Sequence, residues 1–379
     1  MRGSIIKRGT KYTVVIYLGR DENGKKKQKW YSGFRTQRDA QKELNRILGE
    51  IESGSFIIPS KLPLKDYLDN WLTDYCELNL KAKTVDGYRS YIKNHINRLI
   101  GHILLEDLKP FQVQSFYDDL HRNGRHDGKG GLSGKTIQQI HRILSKALKR
   151  AQRLQLIKQN PCDYVERPKV ETFRPSVYTK EQVQKLLTVA KQEEIYIPVL
   201  LAAVLGMRRG EILGLTWDKV DFENKVISVD QTLYYTSGNQ TVGFSTPKTE
   251  SGKRRLLIAD SLCDILVAHK EEQDKIKNDL KRDYQDWNLV CCYANGRYFH
   301  PARFSHKFKR LLEIYDLKHI RFHDLRHTNA TMMLEGNIPA KIASQRLGHS
   351  SIQVTLDIYS HVRDDAQKGT VELIDGLLN

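Results

Sequence analysis

The stretch Arg321–Val362, RFHDLRHTNATMMLEGNIPAKIASQRLGHSSIQVTLDIYSHV, constrains this chain more than any other. His323 and Arg326 stand three apart in HDLRH, so on a helix they share one face. His349 ends the triplet LGH, where glycine permits a sharp helix break before the imidazole. Tyr359 follows ten positions later, at the end of a short helix read over Ile352–Tyr359 and flanked by Thr355 and His361. An earlier GMRRGEILGLTW supplies Arg208, just ahead of a helix that Ile212, Leu213 and Leu215 would anchor. Together these side chains could converge on one phosphate.

The rest of the composition agrees with an anionic partner. A chain of 379 residues is too long for one ordinary core, so two or three domains are expected. Its net charge is +17, and the basic residues are spread along the whole length with no basic amphipathic anchor, which favours nucleic acid over a membrane surface. The longest apolar runs are interrupted well short of a membrane span, and MRGSIIKRG lacks an apolar signal core, so a cytoplasmic protein is expected. Cys76, Cys162, Cys263, Cys291 and Cys292 have neither CxxC nor His-interleaved spacing, so they read as small hydrophobes in a reducing compartment.

Three domains are read along the chain, giving a multidomain α+β protein. Residues 1–54 alternate as strands at Ser4–Lys7, Tyr12–Leu18 and Lys27–Tyr31, with a turn at Asp21–Gly24, and then turn helical from the N-cap Thr36. This unit has 13 lysines and arginines against 6 acidic residues, a net of +7, so Lys27 and Lys29 could meet DNA. A generic sheet module is the alternative. After a linker at Ser53–Pro63, residues 60–169 read as all-helical: Leu64–Tyr75, a helix from Thr84, Asp107–Leu120 and Ser133–Leu154. The last of these buries Ile137, Ile140, Ile143, Leu144, Leu148 and Ala151. Its other side carries Lys135, Arg142, Lys146, Lys149, Arg150 and Arg153, a stripe suited to tracking phosphates or simply a solvated face.

A second linker, Arg167–Pro175, leads into residues 175–379, a mainly helical domain with a small antiparallel sheet. Its helices are read at Thr179–Gln192 and Ile195–Leu205, with strands between Trp217 and Ile258 and at least four helices beyond. GKGGLSGKT at Gly128–Thr136 imitates a phosphate-binding loop. Lys129 stands where that motif needs glycine, and no buried strand precedes it, so it reads as an interhelix loop.

Cutting a DNA phosphodiester through a protein nucleophile needs an attacking oxygen, charge compensation at the transition state and a proton for the leaving oxygen. Planar, permanently charged guanidiniums suit the second task. A tyrosine hydroxyl with a pKa of about 10 becomes a usable nucleophile when adjacent cations favour its phenolate. Lys248, in STPKTESGKRRLLI, lies in a segment that reads as a β-hairpin; a lysine there could serve as general acid or simply contact a phosphate, and Lys253 is its rival. No carboxylate cluster spaced for two metals surrounds these residues, so no metal or cofactor is expected.

These motifs, in this order and at these intervals, resemble the tyrosine recombinase (phage integrase) family, strongly over about residues 175–365. The resemblance implies a site-specific recombinase that cuts and rejoins DNA through a 3′-phosphotyrosyl bond and so integrates and excises a mobile element. It implies Tyr359 as nucleophile, Arg208 rather than Arg209 as the first arginine, His323, Arg326 and His349 around the phosphate, Glu211 as the acidic brace and Lys248 as the lysine serving the 5′-oxygen. Leu205, where the family often has threonine, departs from the pattern. The front unit resembles the family's arm-binding domain, and the helical segment resembles its core-binding domain. The partners implied are core and arm DNA sites, a homotetramer on DNA, and an excisionase or host DNA-bending protein. The apolar residues of Asp364–Asn379 would close the core or dock on a neighbouring protomer, and the sequence does not choose between them. A nicking-closing topoisomerase is the rival with related chemistry, and a DNA-binding regulator without catalysis the rival of a different class.

Overall fold

The computed structural model describes residues 3–20, 24–53, 61–125, 127–170, 176–236, 240–246, 252–349 and 351–359. The side chains of Lys27 and of residues 357–359 lie outside that description, as do Lys248 and the tail from Ser360 onward. Contacts divide the chain into two compact units, Met1–Glu171 and Thr172–Asn379.

The first unit opens with an antiparallel sheet in the order β1 (Gly3–Arg8), β2 (Lys11–Arg20), β3 (Lys26–Phe34). Val14 and Ile16 of β2 are fully buried with Ala40, Leu44 and Ile47 of α1 (Gln37–Glu52), which forms a small separate core. The Thr36 hydroxyl caps α1 by accepting from the Asp39 amide at 3.1 Å. On the exposed side, the Arg8 guanidinium stacks 4.6 Å from the Trp30 ring.

The helical part has its own core. The first expected helix is divided: α2 (Leu64–Trp71) passes through a wide turn at Leu72–Cys76 into α3 (Glu77–Asn79). In the same way, α4 (Ala82–Tyr91) widens at Ile92–Ile96 before α5 (Asn97–Leu99). The Trp71 ring stacks against Tyr75 and Tyr88 at 6.3 and 5.9 Å. The third helix starts later than Asp107. Pro110, with its fixed φ and no amide proton, takes the first position of α6 (Pro110–Asn123), while Asp107 belongs to a separate 3-10 turn. The long helix α7 (Gly134–Arg153) is capped by Ser133.

The second unit packs around α9 (Tyr196–Leu205), a helix apolar on nearly every side. Around it stand α8 (Lys180–Ala190), begun by a Thr179–Gln182 capping box, α10 (Arg209–Leu213) and α13 (Asp324–Glu335). Among the described residues between α10 and α11 (Asp260–Leu280) lie five strands: β4 (Val220–Asp221), β5 (Val226–Val229), β6 (Thr232–Thr236), β7 (Thr241–Ser245) and β8 (Arg254–Leu257). They form one sheet ordered β4-β5-β8 and a separate β6-β7 hairpin. The turn of the hairpin expected across STPKTESGKRRLLI lies outside the described residues; of the described strands on either side, β7 pairs with β6, while Leu256 of β8 pairs with Ile227 of β5 and both are fully buried. The chain continues through α12 (Pro301–Ile314), α13, α14 (Ala340–Leu347) and α15 (Ile352–Tyr359). No helix among the described residues is long and apolar enough to cross a membrane. All five cysteines are unpaired; four are buried and Cys292 partly so.

Candidate active site

Two helix-ending glycines organise the site. Gly206 closes α9 and Gly348 closes α14, both in the left-handed region at φ 63° and 68°. A Cβ on Gly206 would stand 2.4 Å from Leu347 and 2.7 Å from the Asn329 amide oxygen, so a side chain is excluded there. Asn329 itself reaches back from α13 and donates to the Ala203 and Val204 carbonyls at the end of α9.

Each glycine carbonyl then receives an arginine. Arg326 is 2 % exposed, and its Nη1 donates to the Gly206 carbonyl at 2.8 Å. Arg208 Nη2 donates to the Gly348 carbonyl at 2.6 Å. Arg208 is also the N-cap residue of α10. Its amide donates to Glu211 Oε2 at 2.9 Å, and its Nη1 donates to Oε1 at 2.7 Å. Arg209 leaves this cluster, turning its guanidinium to the Ser305 hydroxyl.

Burial and charge leave Arg326 poised for an anion. Its Nη2 is buried and has no hydrogen-bond partner among the described residues. Burial first, and then the Arg208 cation, push its pKa down to about 9, with Glu211 pulling the other way. At neutral pH it therefore stays charged. An oxyanion would satisfy both the orphan N–H and the excess charge.

His349 follows Gly348 directly, and its Nδ1 lies 2.8 Å from the hydroxyl of the fully buried Thr355 on α15. Burial and the neighbouring Arg326 and Arg208 cations push this imidazole down to about 3, so it is neutral at pH 7. A neutral ring that accepts the Thr355 proton at Nδ1 carries its own proton on Nε2, ready to donate. His323 precedes α13, with its ring 5.1 Å from His327 and perpendicular to it. Desolvation of the ring, then His327 and Arg326, push it down to about 4, although the residue as a whole is exposed. The Nδ1 of His327 is buried and unpartnered among the described residues. Asp324 accepts from the Arg321 amide and guanidinium, fixing the turn that presents His323.

One member of the cluster escaped sequence reading. Arg254 on β8 donates to both oxygens of Glu211, at 3.1 and 2.8 Å, and its Nε donates to the Arg346 carbonyl at 2.8 Å. In the run Lys253-Arg254-Arg255 it looks like one more surface cation. Strand alternation was the available signal, because Arg254 shares a face with the buried Leu256 and Ile258.

The structure thus brings Arg208, Glu211, Arg326 and His349 together, with His323 beside Arg326. Tyr359 ends α15, but its side chain is outside the described residues, as is all of Lys248. No cluster of three or more His, Cys, Asp or Glu suited to a metal occurs among the described residues. In the first unit, Lys135, Arg142, Lys146, Lys149 and Arg153 are all exposed on α7, while Arg150 is partly buried with its guanidinium 4.1 Å from the Tyr75 ring. Lys29 is half-buried on β3.

The phage integrase family profile matches residues 176–366, an arm DNA-binding domain matches 4–51, and the N-terminal SAM-like domain of phage integrases matches 64–121. A XerC-like tyrosine recombinase of Caldanaerobacter subterraneus is 28% identical over 97% of this chain and 96% of its own. The ICEBs1 integrase of Bacillus subtilis is 28% identical over 80% of each chain. Among solved structures, the Tn1549 transposon integrase in complex with circular intermediate DNA superposes with a TM-score of 0.67, at 21% identity over 82% of this chain and 99% of that one. A lambda integrase dimer on a core site gives 0.57, at 20% identity over 93% of both. These two share the fold. With the family's profile spanning half its length, the chain belongs to the phage integrase family. It is a tyrosine-type site-specific recombinase of the phage and conjugative-transposon kind.

Proposed function

We propose that this recombinase cuts one DNA strand when the Tyr359 hydroxyl gives up its proton to solvent and the resulting phenolate oxygen attacks phosphorus. The P–O5′ bond breaks, leaving a 3′-phosphotyrosyl bond and a free 5′-hydroxyl. Lys248 gives its proton to the departing 5′-oxygen. Arg208 and Arg326 clamp the nonbridging oxygens, His323 and His349 add N–H donors, and Glu211 braces Arg208. Because the phosphotyrosyl bond keeps the energy of the broken diester, a 5′-hydroxyl from a second duplex can attack it and reseal the strand without ATP. The observation that carries this reading is the buried Arg326 guanidinium, with its unpartnered Nη2, held beside Arg208.

In this reading residues 1–54 hold arm sites, with Lys27 and Lys29 on DNA. Residues 60–169 hold the core site through the basic face of α7, and residues 175–379 perform the chemistry. The working assembly is a homotetramer on DNA in the cytoplasm, helped by an excisionase or a host bending protein, and it inserts and removes a phage or conjugative element. The test is a nicked suicide substrate, which traps the covalent adduct. Wild-type protein should yield an adduct mapping to Tyr359, and Tyr359→Phe should bind DNA without cutting it. An adduct on another tyrosine would overturn the assignment.

A further inference from the structure

Glu211 poses an electrostatic difficulty. It is 3% exposed and bonded to Arg208, so taken alone the pair would cancel the charge that Arg208 must offer to a phosphate. A second cation resolves this. Arg254, whose side chain is 6% exposed, binds the same carboxylate through two nitrogens. One carboxylate shared between two guanidiniums leaves the trio with a net positive charge, and the more exposed member, Arg208 at 37%, is the one that can display it.

We propose that Arg254 is a positioning residue for strand cleavage: it neutralises Glu211 so that Arg208 faces the scissile phosphate as a full cation. It also ties β8 to the end of α14 through the Arg346 carbonyl, two residues before the Gly348 carbonyl that receives Arg208. The role proposed is the neutralisation of Glu211; the tie to Arg346 is a separate contact that either substitution at position 254 would lose. Arg254 is not expected to touch DNA.

The charges facing Glu211 support this division. Arg208 approaches from the N-terminus of α10 and Arg254 from β8, while Arg326 on α13 faces the cluster. Arg346 on α14 faces Arg254, and His349 lies beyond α14 and is neutral at pH 7. Burial alone would raise the Glu211 carboxyl. Hydrogen bonds and charge from Arg254, and more weakly from Arg208, bring it below the usual carboxylate value. Without Arg254, Glu211 loses its larger stabilising partner, so it should take up a proton at higher pH.

The inference rests on the reading of Arg208 and Tyr359 given above, and the experiment separates the two. Full-length wild type, Arg254→Met, Arg254→Lys, Glu211→Gln and the double variant Glu211→Gln/Arg254→Met are compared for adduct formation on a suicide substrate between pH 5.5 and 8. Arg254→Met should cleave at least about 100-fold more slowly, the scale for losing one transition-state donor. Its rate relative to wild type should rise as the pH falls and Glu211 is protonated. Arg254→Lys, which keeps the charge, should recover most of the activity. The double variant should match Glu211→Gln alone, because a neutral amide at position 211 no longer needs Arg254, and its rate relative to Glu211→Gln should stay flat with pH. This comparison stands even if Arg254→Met alone does not fold. A double variant as far below Glu211→Gln as Arg254→Met is below wild type would overturn the proposal, as would a pH-independent defect in a folded Arg254→Met. Failure of wild type to form a Tyr359 adduct would instead remove the underlying reading, and this inference with it.

Discussion

The Nη1 of Arg326 donates to the carbonyl oxygen of Gly206 across 120 positions of sequence. Gly206 can offer that carbonyl because its left-handed turn ends α9 while the chain reverses toward Arg208. Arg208 repeats the device on Gly348, 140 positions away. Each arginine is thus oriented by a rigid helix end; Arg326 keeps its Nη2 unpartnered among the described residues, whereas both terminal nitrogens of Arg208 already make contacts.

Arg208→Ala and Arg326→Ala should each slow cleavage by at least about 100-fold, the effect of removing one oxyanion donor. Affinity for duplex DNA should fall much less, because the proposed DNA surface carries many other cations. Gel-shift titration alongside suicide-substrate kinetics measures both, and near-normal cleavage by either variant would remove that arginine from the site.

Lys248→Ala should be rescued by a 5′-phosphorothiolate at the scissile position, since a thiolate leaves with little need for a proton. Arg326→Ala should not be rescued in this way. Single-turnover cleavage of the two substrates gives the comparison; equal defects on both would deny Lys248 its role as acid.

Thr355→Val keeps the shape of a fully buried side chain but removes the hydroxyl beside His349 Nδ1. With its tautomer unpinned, His349 should support cleavage about 10-fold less well, a loss of roughly 1.4 kcal/mol. Thermal stability should change little in comparison. Unchanged single-turnover rates would show that the hydroxyl does not set the ring.

In the absence of DNA, stability should fall as the medium becomes acidic. In the folded chain burial and neighbouring cations push His349 down to about 3 and His323, whose exposed position weakens its share, down to about 4, below the ordinary value of about 6.5. Burial also lowers His141 and His269. Between those depressed values and about 6.5 the unfolded chain binds more protons, so stability is full above that range and is lost on going down through it. Melting temperatures at pH 7.5 and pH 5 should show the drop, and it should shrink in His349→Gln.

A fragment beginning at Ser60 lacks the front sheet and its net charge of +7. That sheet and α1 bury their own small core, and a bridge from Lys158 to Glu50 on α1 is half-exposed, so its loss should cost little. The fragment should fold, bind the core site with nearly unchanged salt dependence and form the Tyr359 adduct, while losing arm-site binding. Loss of core binding would place the sheet in the catalytic clamp.

Periodicity and punctuation determined much of this protein in advance. Thr36, Ser133 and Thr179 cap helices where their sequences say they should, and LGH breaks a helix at Gly348, because these signals act within one turn of chain. The alternation of α7 between buried isoleucines and exposed cations is equally local. What only the tertiary structure decided is which distant groups meet. β8 pairs with β5 rather than β7, since burying Leu256 on Ile227 outweighs the proximity of β7 in sequence. That pairing turns Arg254 inward onto Glu211, while Ser305 draws Arg209 away from Arg208. Local propensity carries no information about a carboxylate 43 positions distant; packing of the two elements supplies it.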